Sequence, residues 1–144
     1  MNTVEEIVAL LSVHAKPKCA ELTPFTVLDG DTERGYVKLE FEEQPAFGNH
    51  FGHIQGGFLS AIMDVPISCA AFLKTGHWLP MIEMKTSCLA PAKIGRTVAD
   101  AQVLRSGQNI VFLEGHLWGA DGRLAVHATA TLLGHASSPL VNKK

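Results

Sequence analysis

The sequence has no block of basic residues, and its 14 acidic residues outnumber its 12 lysines and arginines, for a net charge of −2. Proteins that bind nucleic acid through its phosphates need a basic face, so this composition argues against a nucleic-acid partner. The 3 cysteines, Cys19, Cys69 and Cys88, form no CxxC pair and are odd in number. Reduced thiols in the cytoplasm are therefore expected, and a disulfide framework is not.

Export signals and long apolar runs are also missing. The first residues, MNTVEEIVALL, carry acids where a signal peptide carries lysines. The longest apolar stretch, residues 58–73, contains Asp64 and Pro66, so we expect it to be too short and too polar to cross a bilayer. We therefore expect a cytoplasmic protein with no membrane partner. His50 and His53 have no third ligand at a convincing spacing, and no metal site is predicted.

The chain does have enough apolar residues for a core. With 144 residues, 47% of them hydrophobic and 18% charged, it fits one globular domain over residues 1–144. Within it we expect a helical segment at 1–20 and a loose tail at 136–144. Apolar spacing predicts an amphipathic helix over 3–15 that begins at Thr3 as its N-cap.

The remaining periodicity predicts an α+β fold. Alternating residues predict two strands within 25–43 and four within 81–134, where Asp121-Gly122 is the strongest hairpin signal. Between them, residues 55–74 read as one long helix that is apolar on nearly every side. Such a helix is typical of a buried position. An antiparallel sheet that covers this central helix satisfies both patterns.

Two features of this central helix point to chemistry. Asp64 places a carboxylate in an apolar segment, where burial is costly unless the group is paired or used. Gly56 and Gly57 open the helix, where backbone N–H groups lack helical partners and the macrodipole favours negative charge. Structural readings compete with this one, because Asp64 could be a satisfied structural carboxylate and the glycine pair could serve close packing of two helices.

The pattern N-x-x-G-x-x-Q-G-G-x6-D, formed by Asn49, Gly52, Gln55, Gly56, Gly57 and Asp64, resembles the hotdog-fold acyl-CoA thioesterases of the PaaI type. In that family the segment usually reads N-x-x-G-x-x-H-G-G-x6-D. The resemblance covers roughly residues 20–134. It implies a hotdog fold, in which an antiparallel sheet wraps around one long helix, and it implies hydrolysis of an acyl- or aryl-CoA.

The resemblance also implies roles for individual residues. Asp64 would be the nucleophile or the general base, and the backbone N–H of Gly56 would hold the oxyanion. Asn49 would orient the water or the nucleophile, and Gly57 would leave room for the thioester carbonyl. Gln55 stands where the family usually has histidine; its amide can donate a hydrogen bond but cannot carry a charge. No metal or bound cofactor is implied, because coenzyme A belongs to the substrate.

Spacing along the helix predicts a shared site. Gly56 and Asp64 are eight residues apart, which is about 12 Å along a helix. One thioester carbon cannot lie about 3 Å from both, so Asp64 should meet Gly56 of another chain. The resemblance likewise implies a homo-oligomer, either a dimer or a dimer of dimers.

Substrate-binding residues are predicted beside the helix and at the turns of the later strands. An acyl tunnel beside the helix would be bounded by apolar side chains, namely Phe58, Ile62, Met81 and Met84. Lys93, Arg96 and Arg105 lie at turns of the later strands, where they are either solvated turn charges or a set that meets the phosphates of coenzyme A.

Two other functions stay open at this point. One is a non-enzymatic hotdog domain that binds acyl-CoA. The other is a hydratase or dehydratase that acts on the acyl chain, although such enzymes usually pair a histidine with an acid, and Gln55 counts against it.

Overall fold

The computed structural model describes residues 1–136, so nearly all of the loose tail predicted at 136–144 lies outside the described residues. Its helices are α1 (Val4–Leu11) and α2 (Gly56–Thr75), with short 3-10 turns at Lys18–Leu22 and Pro45–Phe47. Its strands are β1 (Phe25–Asp31), β2 (Tyr36–Phe41), β3 (Met81–Cys88), β4 (Thr97–Ser106), β5 (Ile110–Trp118) and β6 (Leu124–Leu133).

All six strands form one antiparallel sheet in the order β1-β2-β4-β5-β6-β3. The predicted meander of the last three strands is confirmed, and Gly122 turns between β5 and β6 with a φ of 79°. Although β3 precedes β4 in the chain, it pairs only with β6 and forms one edge of the sheet. The strand pattern predicted these strands but not this order.

The long helix is confirmed to within one residue at each end. Gln55 is its N-cap, and Gly76 ends it in the left-handed region with a φ of 76°, where its N–H donates to the Phe72 carbonyl at 2.8 Å. This is the usual glycine stop of a helix. Pro66 lies buried inside the helix, which runs through it without interruption.

The buried face of α2 packs across β2, β4 and β5. At Gly115 of β5, a Cβ would lie 2.7 Å from Cε of Met63 on α2 and 2.6 Å from the carbonyl oxygen of Asp100 on β4. Met63 is completely buried there. Met63 Cε is the end of a flexible side chain, but the Asp100 carbonyl belongs to the backbone, so its proximity requires glycine at position 115.

The expectation that α2 is buried on every side is wrong for the single chain. Gly57, Ala61 and Asp64 lie on one face and are exposed, because one sheet covers only one side of the helix. The expectation that this run is too short and too polar for a bilayer is also wrong. By length and composition α2 would suffice to cross a membrane, with a mean hydropathy of 1.6 over its 18-residue window, and more than half of that window is buried inside the fold.

The N-terminal helix begins as predicted and ends early. Thr3 Oγ1 accepts a hydrogen bond from the Glu6 N–H at 3.2 Å, and Glu6 Oε2 accepts from the Thr3 N–H at 3.1 Å, which completes a capping box. The helix stops at Leu11 instead of residue 15. Ser12 forms the C-cap, and its hydroxyl donates to the Val8 carbonyl at 2.7 Å, so a side chain satisfies the last turn.

Candidate active site

The first turn of α2 presents free backbone donors. The Gln55 carbonyl accepts from the N–H groups of Phe58 at 2.9 Å and Leu59 at 3.1 Å. Within residues 1–136, the N–H groups of Gly56 and Gly57 donate to no protein acceptor. Both glycines are exposed. Two adjacent donors at the positive end of a 20-residue helix form a site for an oxyanion.

Nothing inside the chain requires glycine at position 56. Its φ is not positive, and a Cβ built there meets no heavy atom within 4 Å. A Cβ on Gly57 would lie 3.1 Å from Gln55 Oε1, which is the end of a flexible side chain. Close packing of two helices therefore does not explain this pair within one chain, and the space in front of Gly56 is open to another molecule.

Asn49 organises the loop that leads into the helix. Its Oδ1 accepts hydrogen bonds from the N–H groups of Phe51 at 2.9 Å and His53 at 3.1 Å, and its own N–H donates to the His53 carbonyl at 2.7 Å. The side-chain oxygen is thus occupied by the loop. Only the amide Nδ2 remains to act on a water or a substrate, as a donor.

Asp64 lies on the exposed face of α2, two turns after the glycines. Its Oδ1 accepts a hydrogen bond from the Ser68 hydroxyl at 3.2 Å. A separation of four residues puts both side chains on one helix face, so Ser68 restricts the orientation of the carboxylate. The assumption of a buried carboxylate is wrong for the single chain, and the open face of the helix is the reason.

A cavity of about 460 Å³ adjoins Asp64 and Ser68. It lies between α2 and the segment 11–25 that precedes and enters β1, and both Asp64 and Ser68 line it. The carboxylate therefore borders a partly open cavity on its own chain.

Gly56 and Asp64 cannot act on one carbon within this chain. Both lie on the continuous helix α2, so the rise of about 1.5 Å per residue keeps them about 12 Å apart along its axis. The folded chain therefore keeps the axial separation of Gly56 and Asp64 that the sequence predicts.

Within one chain, Phe58 lies apart from the two methionines predicted to bound the acyl tunnel. Phe58 stacks face to face on Phe47, with ring centroids 4.2 Å apart, at the start of α2. Met81 pairs with Leu132, which pairs with Val111 at the far end of β5. Strand register therefore places Met81, and Met84 after it on the same edge strand, away from the helix start.

Lys93, Arg96 and Arg105 do not lie together within one chain. A bridge between His53 and Lys93 puts Lys93 beside the loop before α2, and Arg96 Nη1 forms a 3.1 Å ion pair with Glu40. Arg105 lies at the other end of β4, about 30 Å away at the usual rise of a strand. Its part in binding stays a prediction, without geometric support inside the chain.

Cys69 is a buried apolar residue and not a reactive thiol. It is buried on α2, and burial raises the pKa of its thiol to about 12. The thiol therefore stays protonated at neutral pH and is a poor nucleophile.

Sequence reasoning missed Ser68 and the cavity. The spacing Asp64-x3-Ser68 on a predicted helix was a usable signal for a carboxylate with a hydroxyl donor. No local pattern indicated the cavity, because the segment 11–25 reaches Asp64 only through the tertiary fold.

A long helix on a six-stranded antiparallel sheet, with free N–H groups at its start, is the hotdog class of fold. The model of the thioesterase superfamily matches residues 51–126, which is just over half of the chain, so the protein belongs to this superfamily. Within this superfamily, the glycine motif resembles that of the PaaI type.

Solved structures resemble the chain over most of its length. A phenylacetic acid degradation-related protein from Ralstonia eutropha JMP134 is 29% identical, with a TM-score of 0.77, over 87% of this chain and 96% of its own. A thioesterase family protein from Silicibacter pomeroyi is 22% identical, with a TM-score of 0.74, over 90% and 95%. A Streptococcus mutans UA159 protein bound to acetyl CoA is 14% identical, with a TM-score of 0.70, over 85% and 92%. No curated protein matches the chain.

Proposed function

We propose that this protein hydrolyses the thioester of an acyl- or aryl-CoA. The observation that carries the proposal is the unpartnered pair of N–H groups at Gly56 and Gly57, with open space at Gly56, on the same helix that exposes Asp64. Donors that are fixed in place before the reaction stabilise developing negative charge without reorganisation. Membership of the thioesterase superfamily supports the same reaction class.

In the proposed reaction the Gly56 N–H holds the thioester carbonyl oxygen as it becomes negative. Asp64 either takes a proton from a water whose oxygen attacks the carbonyl carbon, or attacks that carbon itself to form an anhydride that water then cleaves. In both routes the C–S bond breaks, the sulfur leaves with a proton as the free thiol of coenzyme A, and the acyl group leaves as a carboxylic acid. Gln55 and Asn49 contribute amide donors.

The site is proposed to form between two chains. The distance of about 12 Å between Gly56 and Asp64 leaves each half-site incomplete alone. The edge strand β3 supports this arrangement, because its eight residues leave one edge unpaired within the described part of the chain, and Ile82 on it is exposed. Such edges in stable proteins are usually covered. A dimer or a dimer of dimers would cover this one.

The reaction is tested by the release of free thiol from a panel of acyl-CoAs. The wild type is compared with Asp64→Asn, which keeps the shape and removes the charge, and with Glu43→Gln as a matched change at another exposed carboxylate. We expect release that is lost in Asp64→Asn and kept in Glu43→Gln. Undiminished release by Asp64→Asn would contradict the assigned mechanism.

Mixing two inactive variants tests whether the site is shared. In a homodimer of either variant, every site lacks one of its two parts. Asp64→Asn removes the carboxylate, and Gly56→Val blocks the oxyanion donor. Subunits that exchange freely form hybrid dimers that hold one intact site, so about a quarter of wild-type activity should return at equal concentrations. If subunits exchange and no activity returns, both residues act within one chain.

Binding of acyl-CoA without hydrolysis is the second candidate. Its support is Gln55, whose side chain makes no capping hydrogen bond and cannot transfer a proton in place of the family's histidine. Saturable binding of acyl-CoA without thiol release would favour it. A hydratase would instead add water to the acyl chain and release no thiol. No cofactor is proposed for hydrolysis, and a cytoplasmic location stays a prediction.

A further inference from the structure

Two histidines face each other on the outer face of the sheet, which is the face away from α2. Gly115 of β5 faces the helix, and successive residues of a strand point to opposite faces, so its neighbour His116 points outward. His127 of β6 pairs directly with His116. Side chains that are opposite each other on one face are close enough to interact. The two imidazole rings lie with centroids 5.3 Å apart and planes tilted by 43°.

Each of these imidazoles contacts a carboxylate through one ring nitrogen. His116 Nδ1 lies 3.0 Å from Asp100 Oδ1, and His127 Nε2 lies 3.3 Å from Glu114 Oε2. Because a carboxylate accepts hydrogen bonds, these two nitrogens carry the protons, and the other nitrogen of each neutral ring has a lone pair. Within residues 1–136, no protein donor occupies His116 Nε2 or His127 Nδ1.

Asp100 is held in a fixed orientation. Its Oδ1 also accepts from the backbone N–H of His116 at 3.1 Å, and its Oδ2 accepts from the Tyr36 hydroxyl at 3.4 Å. Burial, and then the charge of Asp100, raise the pKa of the Tyr36 phenol to about 12, so this donor keeps its proton at neutral pH. Histidines that bind metals usually donate their second N–H to such a carboxylate, which fixes the tautomer and makes the ligating nitrogen more basic.

The separation of the two rings fits a shared ion. Two imidazoles that bind one tetrahedral zinc ion through nitrogens at about 2.0–2.1 Å place their ring centres about 5 Å apart. The rings of His116 and His127 are 5.3 Å apart. His77 and His135 are also neighbours, but they stack with centroids 4.6 Å apart and planes 19° apart. Lone pairs lie in the ring planes, so those of stacked rings run side by side and do not converge.

The charges around the pair favour a cation. Asp100 and Glu114 place two carboxylates within hydrogen-bond distance of the rings. Lys38 pairs with Asp100 across β2 and β4, but its Nζ lies over the ring of Trp118, 5.6 Å from the centroid. Its charge is therefore directed to the indole face. A positive ion between the imidazoles would be attracted by the two carboxylates.

We propose that His116 and His127 together bind one divalent transition-metal ion of the class of Zn²⁺ and Cu²⁺, with Asp100 and Glu114 orienting the imidazoles. Imidazole suits these ions, whereas Mg²⁺ and Ca²⁺ prefer oxygen ligands. The described residues include no group of three or more His, Cys, Asp or Glu side chains that could hold a metal ion. The histidine pair therefore supplies two ligands, and water completes the coordination.

Calorimetric titration with Zn²⁺ tests the site in protein first freed of metal with EDTA. The variants are His116→Gln and His127→Gln, and the double variant His77→Gln, His135→Gln is the matched control. We expect one bound ion per chain in the wild type and the control. Loss of either outer-face histidine should weaken binding by at least the 10- to 100-fold, approximately, that loss of an outer-shell partner costs.

Thermal unfolding shows whether each variant folds. No Zn²⁺ binding by the wild type would overturn the proposal. Undiminished binding in the folded variants His116→Gln and His127→Gln would overturn it as well.

Fluorescence locates the ion. The chain has 2 tryptophans, and the ring of Trp118 lies 5.8 Å from that of His116. Trp78→Phe leaves Trp118 as the single emitter, and Cu²⁺ is a paramagnetic ion that quenches a nearby indole. We expect a saturable loss of emission that EDTA reverses and that His116→Gln abolishes. Quenching in Trp118→Phe, where Trp78 is the emitter, but not in Trp78→Phe would place the ion elsewhere and overturn the proposal.

Asp100 is a positioning residue in this proposal, and Asp100→Asn tests that role. The change keeps the shape of the side chain and removes its charge. We expect Zn²⁺ to bind about tenfold or more weakly with unchanged stoichiometry, while Glu43→Gln, at an exposed carboxylate, binds as the wild type does. Unchanged affinity in a folded Asp100→Asn variant would overturn the part assigned to the carboxylates.

This site and the proposed thioesterase site can fail separately, because the sheet lies between the histidine pair and α2. Zinc binding that depends on His116 and His127, with no thiol release from any acyl-CoA, would leave the metal site in place and refute hydrolysis. Thiol release by a protein that binds no Zn²⁺ would leave hydrolysis in place and refute the metal site.

Discussion

Replacement of Gly56 by alanine separates the stability of α2 from the chemistry at its first turn. A Cβ at this position has no heavy atom within 4 Å, and the backbone is outside the left-handed region. Alanine in such a place reduces the conformational freedom of the unfolded chain. We therefore expect Gly56→Ala to raise the free energy of unfolding by about 0.4–1 kcal/mol.

Activity is expected to change in the opposite direction. For the Gly56 N–H to hold the oxyanion, the thioester must approach the Cα of this residue closely, and the new methyl group would occupy that space. Alanine keeps the N–H, but its methyl group would keep the carbonyl oxygen from reaching it. The expected effect is therefore that of losing one oxyanion donor, which lowers kcat by about 10²- to 10³-fold. A variant that is more stable and much slower is the combination expected from a glycine retained for substrate access.

Denaturant unfolding and thiol release measure the two effects on the same sample. The control is Ala9→Gly, an exposed position of α1, which should lower stability by about 0.5–1 kcal/mol and leave kcat unchanged. Wild-type kcat in Gly56→Ala would refute the close approach of the thioester. A loss of stability in Gly56→Ala would refute the inference that open space surrounds this glycine in the assembled protein.

Three further predictions follow from the other polar groups. Ser68→Ala should lower kcat about tenfold with little change in KM, since a hydrogen bond to a carboxylate contributes about 1.5 kcal/mol or more, and Ser68→Thr should restore it; loss of activity in both would point to a packing role. Lys93→Gln should raise KM for acyl-CoA about threefold, as expected for an exposed charge, and an equal effect of Arg105→Gln would show that another subunit brings that end of β4 to the site. Cys69, whose pKa burial raises to about 12, should resist iodoacetamide at pH 8 until the protein is unfolded in urea, as mass spectrometry would detect; rapid labelling of the native protein would contradict its burial.

The folded chain explains why an apolar helix carries a carboxylate. The buried apolar residues of α2 include the face that packs on the sheet. Asp64 lies on the side of the helix that the sheet does not reach. The sequence pattern reports which residues are apolar, but it does not report whether the surface that covers each one belongs to the same chain. For this reason the helix was located correctly and its exposed face was not foreseen.

Local signals were sufficient for the elements and for the motif. The Thr3 capping box, the Gly76 helix stop and the Asp121-Gly122 hairpin depend on neighbours within a few residues. Backbone geometry at such positions is decided by side chains close in sequence. The spacing from Gly56 to Asp64 likewise predicts a site shared between two chains, because the rise of a helix is constant.

Long-range packing decided the rest. The register from Met81 through Leu132 to Val111 places β3 at the sheet edge and Met81 far from the helix start. The cavity beside Asp64 exists because segment 11–25 returns across α2. Both depend on contacts between residues dozens of positions apart, whose pairing carries no periodic signal. The elements and the motif could thus be read from the chain, whereas strand order, the open helix face and the pocket wall required the assembled fold.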